Sequence, residues 1–405
     1  MNIEAIQNIN IEDYNYNLPD EKIAKYPLTN RDNSKLLIYK DGKISETVFK
    51  NISQEIPENS LLIYNNTKVI QARLHFKKST GANIEIFCLE PSMPSEYNLI
   101  FQETQKCQWK CIVGNQKRWK SGELSKNIKI DDQEITLTAN KINTENELII
   151  EFSWNNNINF GTILELIGEI PIPPYLNRKS EEIDKSTYQT IYSEHKGSVA
   201  APTAGLHFTK TVFNSLEKKK IKTDNITLHV GAGTFKPVQT SKIGEHTMHF
   251  EHFIVRRSLI EALLKNYGKI FAVGTTTVRT LESLYFIGLK IMQQNTNEDF
   301  TIYQWEAYKN GKSISPILAL ENILNYMQKH NLQHINAKTQ IMIAPSYKFK
   351  FINGLITNFH QPKSTLLLLI SAITGEKWKD IYNYSLKNNF RFLSYGDSSI
   401  LFIDK

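Results

Sequence analysis

Polar residues able to do chemistry cluster unevenly along this chain. Gly274-Thr275-Thr276-Thr277-Val278-Arg279-Thr280 follows the apolar run Ile270-Phe271-Ala272-Val273 and opens a segment of helical pattern. A strand-to-helix junction of this kind presents unpaired backbone amides and hydroxyls, which suit a carboxylate or phosphate. Arg279, one turn into the helix, can add a bidentate contact to such an anion. Gly231-Ala232-Gly233 also follows a predicted strand, Lys222 to Val230. A dinucleotide or methyltransferase loop needs a helix directly after its glycines, but Thr234-Phe235-Lys236-Pro237 follows here, and the proline favours a turn. The better reading of Gly231 and Gly233 is close approach of backbone to a ligand.

His207, His229, His246, His249, His252 and His360 all fall outside the strand-rich stretch 61–155. Spacing in His246-x-x-His249-x-x-His252 can mimic a metal face, but His249 and His252 flank Phe250-Glu251 in a strand-like run, which argues against a ligand set. No His-Glu-x-x-His helix supports a metal-dependent hydrolase. Cys88, Cys107 and Cys111 are three, too few for a closed disulfide framework, and read as buried thiols.

These groups need a scaffold. A chain of 405 residues exceeds one comfortable core. Leu61-Leu62-Ile63-Tyr64, Ala82 to Leu89, Tyr97 to Phe101, Trp109 to Val113, Glu134 to Thr138 and Leu148 to Phe152 predict short strands separated by turn residues. That texture predicts a small β-barrel over 61–155. On either side, helices are predicted at Phe160 to Ile167, Lys210 to Lys220, Leu259 to Tyr267 and Thr277 to Tyr285. Strands are predicted at Lys222 to Val230 and Ile270 to Val273. Late in the chain, Ile341-Met342-Ile343 and Leu355-Ile356 precede a helix capped by Ser364 or Thr365. The expected fold is an α/β body, 1–60 with 156–405, carrying an inserted small β-barrel domain at 61–155.

Forty per cent hydrophobic and 22% charged residues fit a globular protein. Met1-Asn2-Ile3-Glu4 lacks the features of a secretory signal, and the apolar run Leu366 to Ile373 is too short to span a bilayer. A cytoplasmic protein without a membrane partner is expected, with a monomer as the favoured state. A net charge of +7 permits an RNA partner. Lys106 to Lys120 carries five Lys or Arg and two Trp without an acid. Lys218-Lys219-Lys220-Ile221-Lys222 is a second basic run, and Lys377, Trp378, Lys379, Tyr382, Tyr384, Lys387 and Arg391 form a third region. Cations beside aromatics suit a phosphate backbone and stacked bases, whereas solvated faces are the plainer reading of each run. A non-catalytic RNA-binding module is the competing reading of the whole chain.

Several segments together resemble the S-adenosylmethionine:tRNA ribosyltransferase-isomerase family. They include Gly197-Ser198-Val199-Ala200-Ala201-Pro202-Thr203-Ala204-Gly205-Leu206-His207-Phe208-Thr209, Tyr16-x-Leu18-Pro19 and Arg31-Asp32-x-Ser34. Others are Leu228-His229-Val230-Gly231-Ala232-Gly233-Thr234-Phe235, Ala272-Val273-Gly274-Thr275-Thr276, Leu355-Ile356-Thr357-Asn358-Phe359-His360-x-Pro362 and Ser394-Tyr395-Gly396-Asp397. Asn66, Gln361 and Ser346 depart from the pattern, and 90–150 follows it least. The resemblance implies transfer and isomerisation of the ribosyl group of S-adenosylmethionine onto 7-aminomethyl-7-deazaguanine at a tRNA wobble position. Epoxyqueuosine-tRNA is formed, and adenine and methionine are released. It implies no metal and no cofactor beyond S-adenosylmethionine, a consumed substrate. Such chemistry needs proton transfer and a group facing a cation. His207, His229 and His360 are the proton-transfer candidates, and Glu251 and Asp397 the partners for a sulfonium or ammonium. Thr275, Thr276 and Arg279 are assigned to the methionine carboxylate. Pro202, Thr203, Gly205, Gly231, Gly233, Thr234, Asn358, Ser364, Thr365 and Tyr395 complete the expected substrate-binding set.

Overall fold

The computed structural model describes residues 3–130, 133–143, 147–231, 233, 238–294, 300–309, 311 and 313–403. Thr234, expected to bind substrate, lies outside them, as do Phe235, Lys236 and Pro237.

A ten-stranded mixed sheet forms the body. Its order is Thr301–Ile302, His334–Thr339, Glu251–Arg256, Lys222–His229, Leu61–Asn65, Ile270–Val273, Gly354–Asn358, Ser398–Phe402, Lys35–Lys40 and Lys43–Val48. The four strands from Lys222–His229 to Gly354–Asn358 run parallel, and their neighbours are mixed. Parallel strands covered on both faces read as continuous apolar runs, and Ile270–Val273 is buried at every position. Helix Thr275–Met292 leaves that strand and is buried along its first fourteen residues, because it packs beneath the sheet at its centre. Glu282 anchors it: the buried carboxylate accepts from Tyr347 Oη at 2.9 Å and from the amides of Lys350, Phe351 and Ile352 at 2.7, 3.1 and 3.3 Å.

A six-stranded antiparallel sheet forms the second unit, in the order Arg73–Lys77, Asn83–Met93, Lys106–Gly114, Leu148–Trp154, Gln133–Asn143 and Leu124–Ile130. Its edge strands approach each other, with Lys126 Nζ donating to the His75 carbonyl at 3.1 Å, so the sheet nearly closes into a barrel. The chain is thus an α/β body with a small β-barrel inserted in it.

Period-two alternation explains the barrel core. In Lys106–Gly114, Cys107, Trp109, Cys111 and Val113 point inward, while Lys106 and Ile112 are exposed. Trp109 and Trp119 are fully buried, as are Trp378 and Tyr382 in the body, so these rings serve the core and offer no stacking face to RNA. All three cysteines lie in the barrel interior, and burial pushes the Cys107 and Cys111 thiols well above their ordinary range.

Three expected elements differ. Leu61–Asn65 belongs to the body sheet, paired with Lys222–His229 and Ile270–Val273. Tyr97–Ile100 is a short helix, because its apolar residues pack the barrel from outside the sheet. Ile341 to Ile343 is buried but irregular; Ile341 N donates to the nearby Thr339 Oγ1 at 3.1 Å and Met342 N to the carbonyl of the distant Gln304 at 3.0 Å.

Candidate active site

A two-part cleft opens at the carboxyl ends of the central parallel strands, where open α/β sheets characteristically bind ligands. The larger part, about 760 Å³ with its open mouth, is lined by Ala200, Pro202, Thr203, Val230, Gly274, Asn358, Phe359, His360 and Ser394, among others. The smaller, about 470 Å³, is lined by Gly233, His246, Met248, His249, Glu251, Arg279 and Thr365. Thr275, Thr276, Ser364 and Leu366 border both, so the two parts share a wall.

That wall consists of two helix N-termini. Gly274 precedes Thr275–Met292 with φ 87°, a left-handed conformation that glycine adopts without strain, and contributes no capping side chain. Its helix therefore presents uncapped amides. Ser364 caps Thr365–Thr374: its Oγ accepts from Leu367 N at 3.3 Å and donates to the Gln361 carbonyl at 2.8 Å. Both helices direct the positive end of their dipoles at the cleft.

Arg279 and Glu251 meet behind Thr275. Arg279 Nη1 donates to Glu251 Oε2 at 2.5 Å and Nε donates to the Ile341 carbonyl at 3.2 Å, with both side chains buried. Nη2 has no hydrogen-bond partner among the described residues. Two of the three guanidinium nitrogens are committed to the fold, so the bidentate clamp expected of Arg279 is reduced to contacts centred on Nη2. Burial raises the Glu251 pKa, and the Arg279 charge opposes the rise.

His360 also reaches the cleft. Its Nε2 meets Thr357 Oγ1 at 3.1 Å, and its backbone N–H donates to Tyr382 Oη at 3.1 Å while Tyr16 Oη donates to its carbonyl. Burial pushes its imidazole down to about 3, which leaves it neutral at physiological pH. Asn358 is held by Nδ2 donating to the Leu393 and Ser394 carbonyls at 3.0 and 3.4 Å.

The remaining predicted residues lie elsewhere. His207 sits behind Asn358, its Nδ1 2.8 Å from Ser34 Oγ and its ring against Phe49. Burial and the Arg391 charge push it down to about 4, with the Asn358 side chain opposing. His229 turns toward the barrel: its ring stacks on Tyr97 at 4.0 Å and its Nδ1 lies 3.4 Å from Thr67 Oγ1. Beside it, His252 Nε2 meets Glu90 Oε1 of the barrel at 2.8 Å, which separates His252 from His246 and His249 in the cleft. Gly205 packs under Tyr192, while a Cβ at Gly231 would meet open space, so close packing does not explain that glycine.

Asp397 and Tyr395 are absorbed by the scaffold. Asp397 accepts from the Lys35 and Arg391 amides at 3.0 and 2.7 Å and from Arg391 Nη2 at 3.2 Å. Tyr395 Oη donates to Asp184 at 3.0 Å, the carboxylate that Arg178 grips from both terminal nitrogens at 2.7 and 2.8 Å. Conversely, Tyr175, Phe359 and Gln361 line the cleft without having been expected to bind substrate. Apolar, phenolic and amide side chains carry little chemical signal, although Phe359 lies within the Asn358–His360 motif and Gln361 directly follows it.

The chain is similar to several known proteins. An S-adenosylmethionine:tRNA ribosyltransferase-isomerase of Halothermothrix orenii is 36% identical over 398 residues, spanning 96% of this chain and 99% of the relative. One from Trichlorobacter lovleyi is 34% identical, with coverage of 96% and 99%. A crystal structure of the S-adenosylmethionine tRNA ribosyltransferase of Thermotoga maritima aligns at 25% identity with a TM-score of 0.44, covering 96% of this chain and 99% of that one. Residues 11–401 match the model of the queuosine biosynthesis protein family, and the chain belongs to that family.

Proposed function

We propose that the cleft transfers and isomerises the ribosyl group of S-adenosylmethionine onto 7-aminomethyl-7-deazaguanine at a tRNA wobble position, giving epoxyqueuosine-tRNA. Adenine and methionine leave, and S-adenosylmethionine is consumed as substrate with no further cofactor. The observation that carries this reading is the buried, unpartnered Arg279 Nη2 beside two helix N-termini on one wall. Buried polar groups are normally satisfied, so this donor set calls for an anion, and the donor's methionine carboxylate supplies one. Glu251, in the same part of the cleft, faces the methionine ammonium or the sulfonium.

The ribose and adenine then extend into the larger part, between Ala200-Ala201-Pro202 and Phe359-His360. The sulfonium acidifies the neighbouring ribosyl carbon, and a positioned base removes its proton. His360 is neutral and lies in the larger part, where its low basicity suits hydrogen bonding or relaying a proton more than abstracting one. Pro202, Thr203, Asn358, Ser364 and Thr365 shape the walls. His207 is a positioning residue behind Asn358. Labelling tests the whole reading: ribose label from S-adenosylmethionine enters tRNA while methyl label leaves as methionine. Methyl label retained in RNA establishes a methyltransferase instead and overturns the proposal. Function on tRNA and the lack of a helix long and apolar enough to cross a membrane, among the described residues, both suit the cytoplasm.

A further inference from the structure

The barrel carries none of the proposed cleft residues, yet its far end, which includes part of the basic run Lys106 to Lys120, gathers charge. Antiparallel topology brings three separate connections together there: the hairpin after Arg73–Lys77, the loop from Gly114 to Leu124, and the end of Gln133–Asn143. They carry Lys78, Lys117, Arg118, Lys120 and Lys141. Lys117, Arg118 and Lys120 are exposed, and none of the five forms an ion pair among the described residues. The two least exposed cations hold the loop in shape. Lys78 Nζ donates to the Arg118 carbonyl at 3.2 Å, and Lys141 Nζ donates to the Trp119 carbonyl while lying 4.6 Å over the centre of the Trp119 ring. Asn115 Nδ2 ties the loop to the Asn83 carbonyl at 3.0 Å.

Like charges repel, and the loop holds a single acid, Glu123, which accepts from Asn140 Nδ2 at 3.0 Å and pairs with none of the five cations among the described residues. Here burial and the neighbouring Lys78 charge both lower the Lys141 pKa, a sign that the cations crowd one another. Such a cluster is stabilised by a polyanion. We infer that this end of the barrel, formed by Lys117, Arg118 and Lys120 on a loop braced by Lys78 and Lys141, is a docking surface for the phosphate backbone of tRNA. The inference rests on the proposed function for its partner. It places the contact away from the wobble base: Glu90 touches the body through His252, and seven residues of extended strand from Glu90 back to Asn83 span about 23 Å. Phosphate contacts position an RNA without reading its sequence, so the tip adds affinity and register while the cleft recognises the base.

Binding of an unmodified tRNA transcript to the full-length protein tests this, measured across salt concentrations. The variant Lys117→Gln/Arg118→Gln/Lys120→Gln changes only exposed side chains. It is expected to weaken tRNA binding about 10- to 100-fold near 0.15 M salt and to flatten the dependence of log affinity on log salt by about 2 to 3 units. The Michaelis constant for S-adenosylmethionine should stay within about twofold. The same substitution of Lys218, Lys219 and Lys220, on the body, should leave the salt slope unchanged. Unaltered affinity and slope in the barrel variant overturn the inference, as does an equal effect from the body variant, which would be a response to net charge alone. A wild-type protein that binds no tRNA sinks the proposed function together with this surface. Wild-type binding with an unaffected barrel variant sinks the surface alone.

Discussion

Buried charged side chains are treated in two opposite ways on the two sides of the cleft wall. Behind the cleft, carboxylates are saturated: Asp184 accepts from Arg178, Glu181 N and Tyr395, and Asp397 from Lys35, Arg391 N and the Arg391 guanidinium. In the cleft, Arg279 keeps a nitrogen without a partner and a helix N-terminus goes uncapped. Saturated groups define shape, whereas a group left unsaturated and buried costs stability that a ligand restores. Among these charged residues, which look equally polar in sequence, the difference separates scaffold from site.

The comparison breaks most sharply at Arg279. Removing it alone would strand Glu251 as a buried charge, so the test is Arg279→Gln combined with Glu251→Gln. Loss of a desolvated charged contact costs about 2–4 kcal/mol, so the Michaelis constant for S-adenosylmethionine should rise roughly 30- to 1000-fold. Affinity for tRNA should stay within a few fold. An unchanged Michaelis constant in the folded double variant would place the Arg279–Glu251 pair with the scaffold. Asp184→Asn is the opposite case. Breaking its grip on Arg178 should cost about 3 kcal/mol in denaturant unfolding. The Michaelis constant should move less than about twofold, and a larger shift there would mean that the cluster reaches the ligand.

The histidines sharpen the same contrast through pH. His207 is held at about 4, by burial and then by the Arg391 charge, and His229 at about 3, by burial and then by His252 and His195. Both folded values lie below the ordinary 6.5, so the unfolded chain takes up protons that the native state refuses. Stability from these rings is whole above 6.5 and is lost as the pH falls through the window down to about 4 and 3. At pH 5 each should cost about 2 kcal/mol relative to pH 7. Urea unfolding at the two pH values measures this, and His207→Gln should remove its share. A slope unaffected by that substitution would contradict a neutral, buried His207.

Much of the scaffold was legible because local signals were strong. Phe160–Ile167 was visible as a short helix, and in the fold Asn159 Oδ1 caps it by accepting from Thr162 N at 2.8 Å. Ile270–Val273 and the following helix were visible as an apolar run and a polar junction, which also exposed Thr275, Thr276 and Arg279. Tyr97–Ile100 was not, since four residues with apolar ends fit a strand as readily as one helical turn. Residue types did not show that Asp397 and Tyr395 are saturated. Tyr395 finds Asp184 from 211 residues away, and such pairing becomes visible only when the chain is folded. The barrel misled for a related reason: Trp109 alternates inward along its strand and Trp119 turns inward from its loop, so charge and aromatic character part company.

His229 gives the smallest expected effect and the finest division between the two regions. Its motif ends in Gly231-Ala232-Gly233, and a histidine there invites a role in proton transfer. In the fold, its ring lies against Tyr97 of the barrel, its Nδ1 toward Thr67, and Gly197 leaves just enough room for the imidazole; a Cβ at Gly197 would fall 2.4 Å from Nδ1. His229 thus belongs to the junction that seats the barrel on the body, next to the His252–Glu90 contact. Loss of a general acid or base slows turnover about 10²- to 10⁴-fold. Glutamine retains a hydrogen-bonding side chain but carries no proton at neutral pH. His229→Gln should therefore keep turnover within about threefold while weakening the packing of the barrel, read as a modest fall in unfolding midpoint. A hundredfold loss of turnover with substrate binding intact would move His229 from the scaffold into the chemistry.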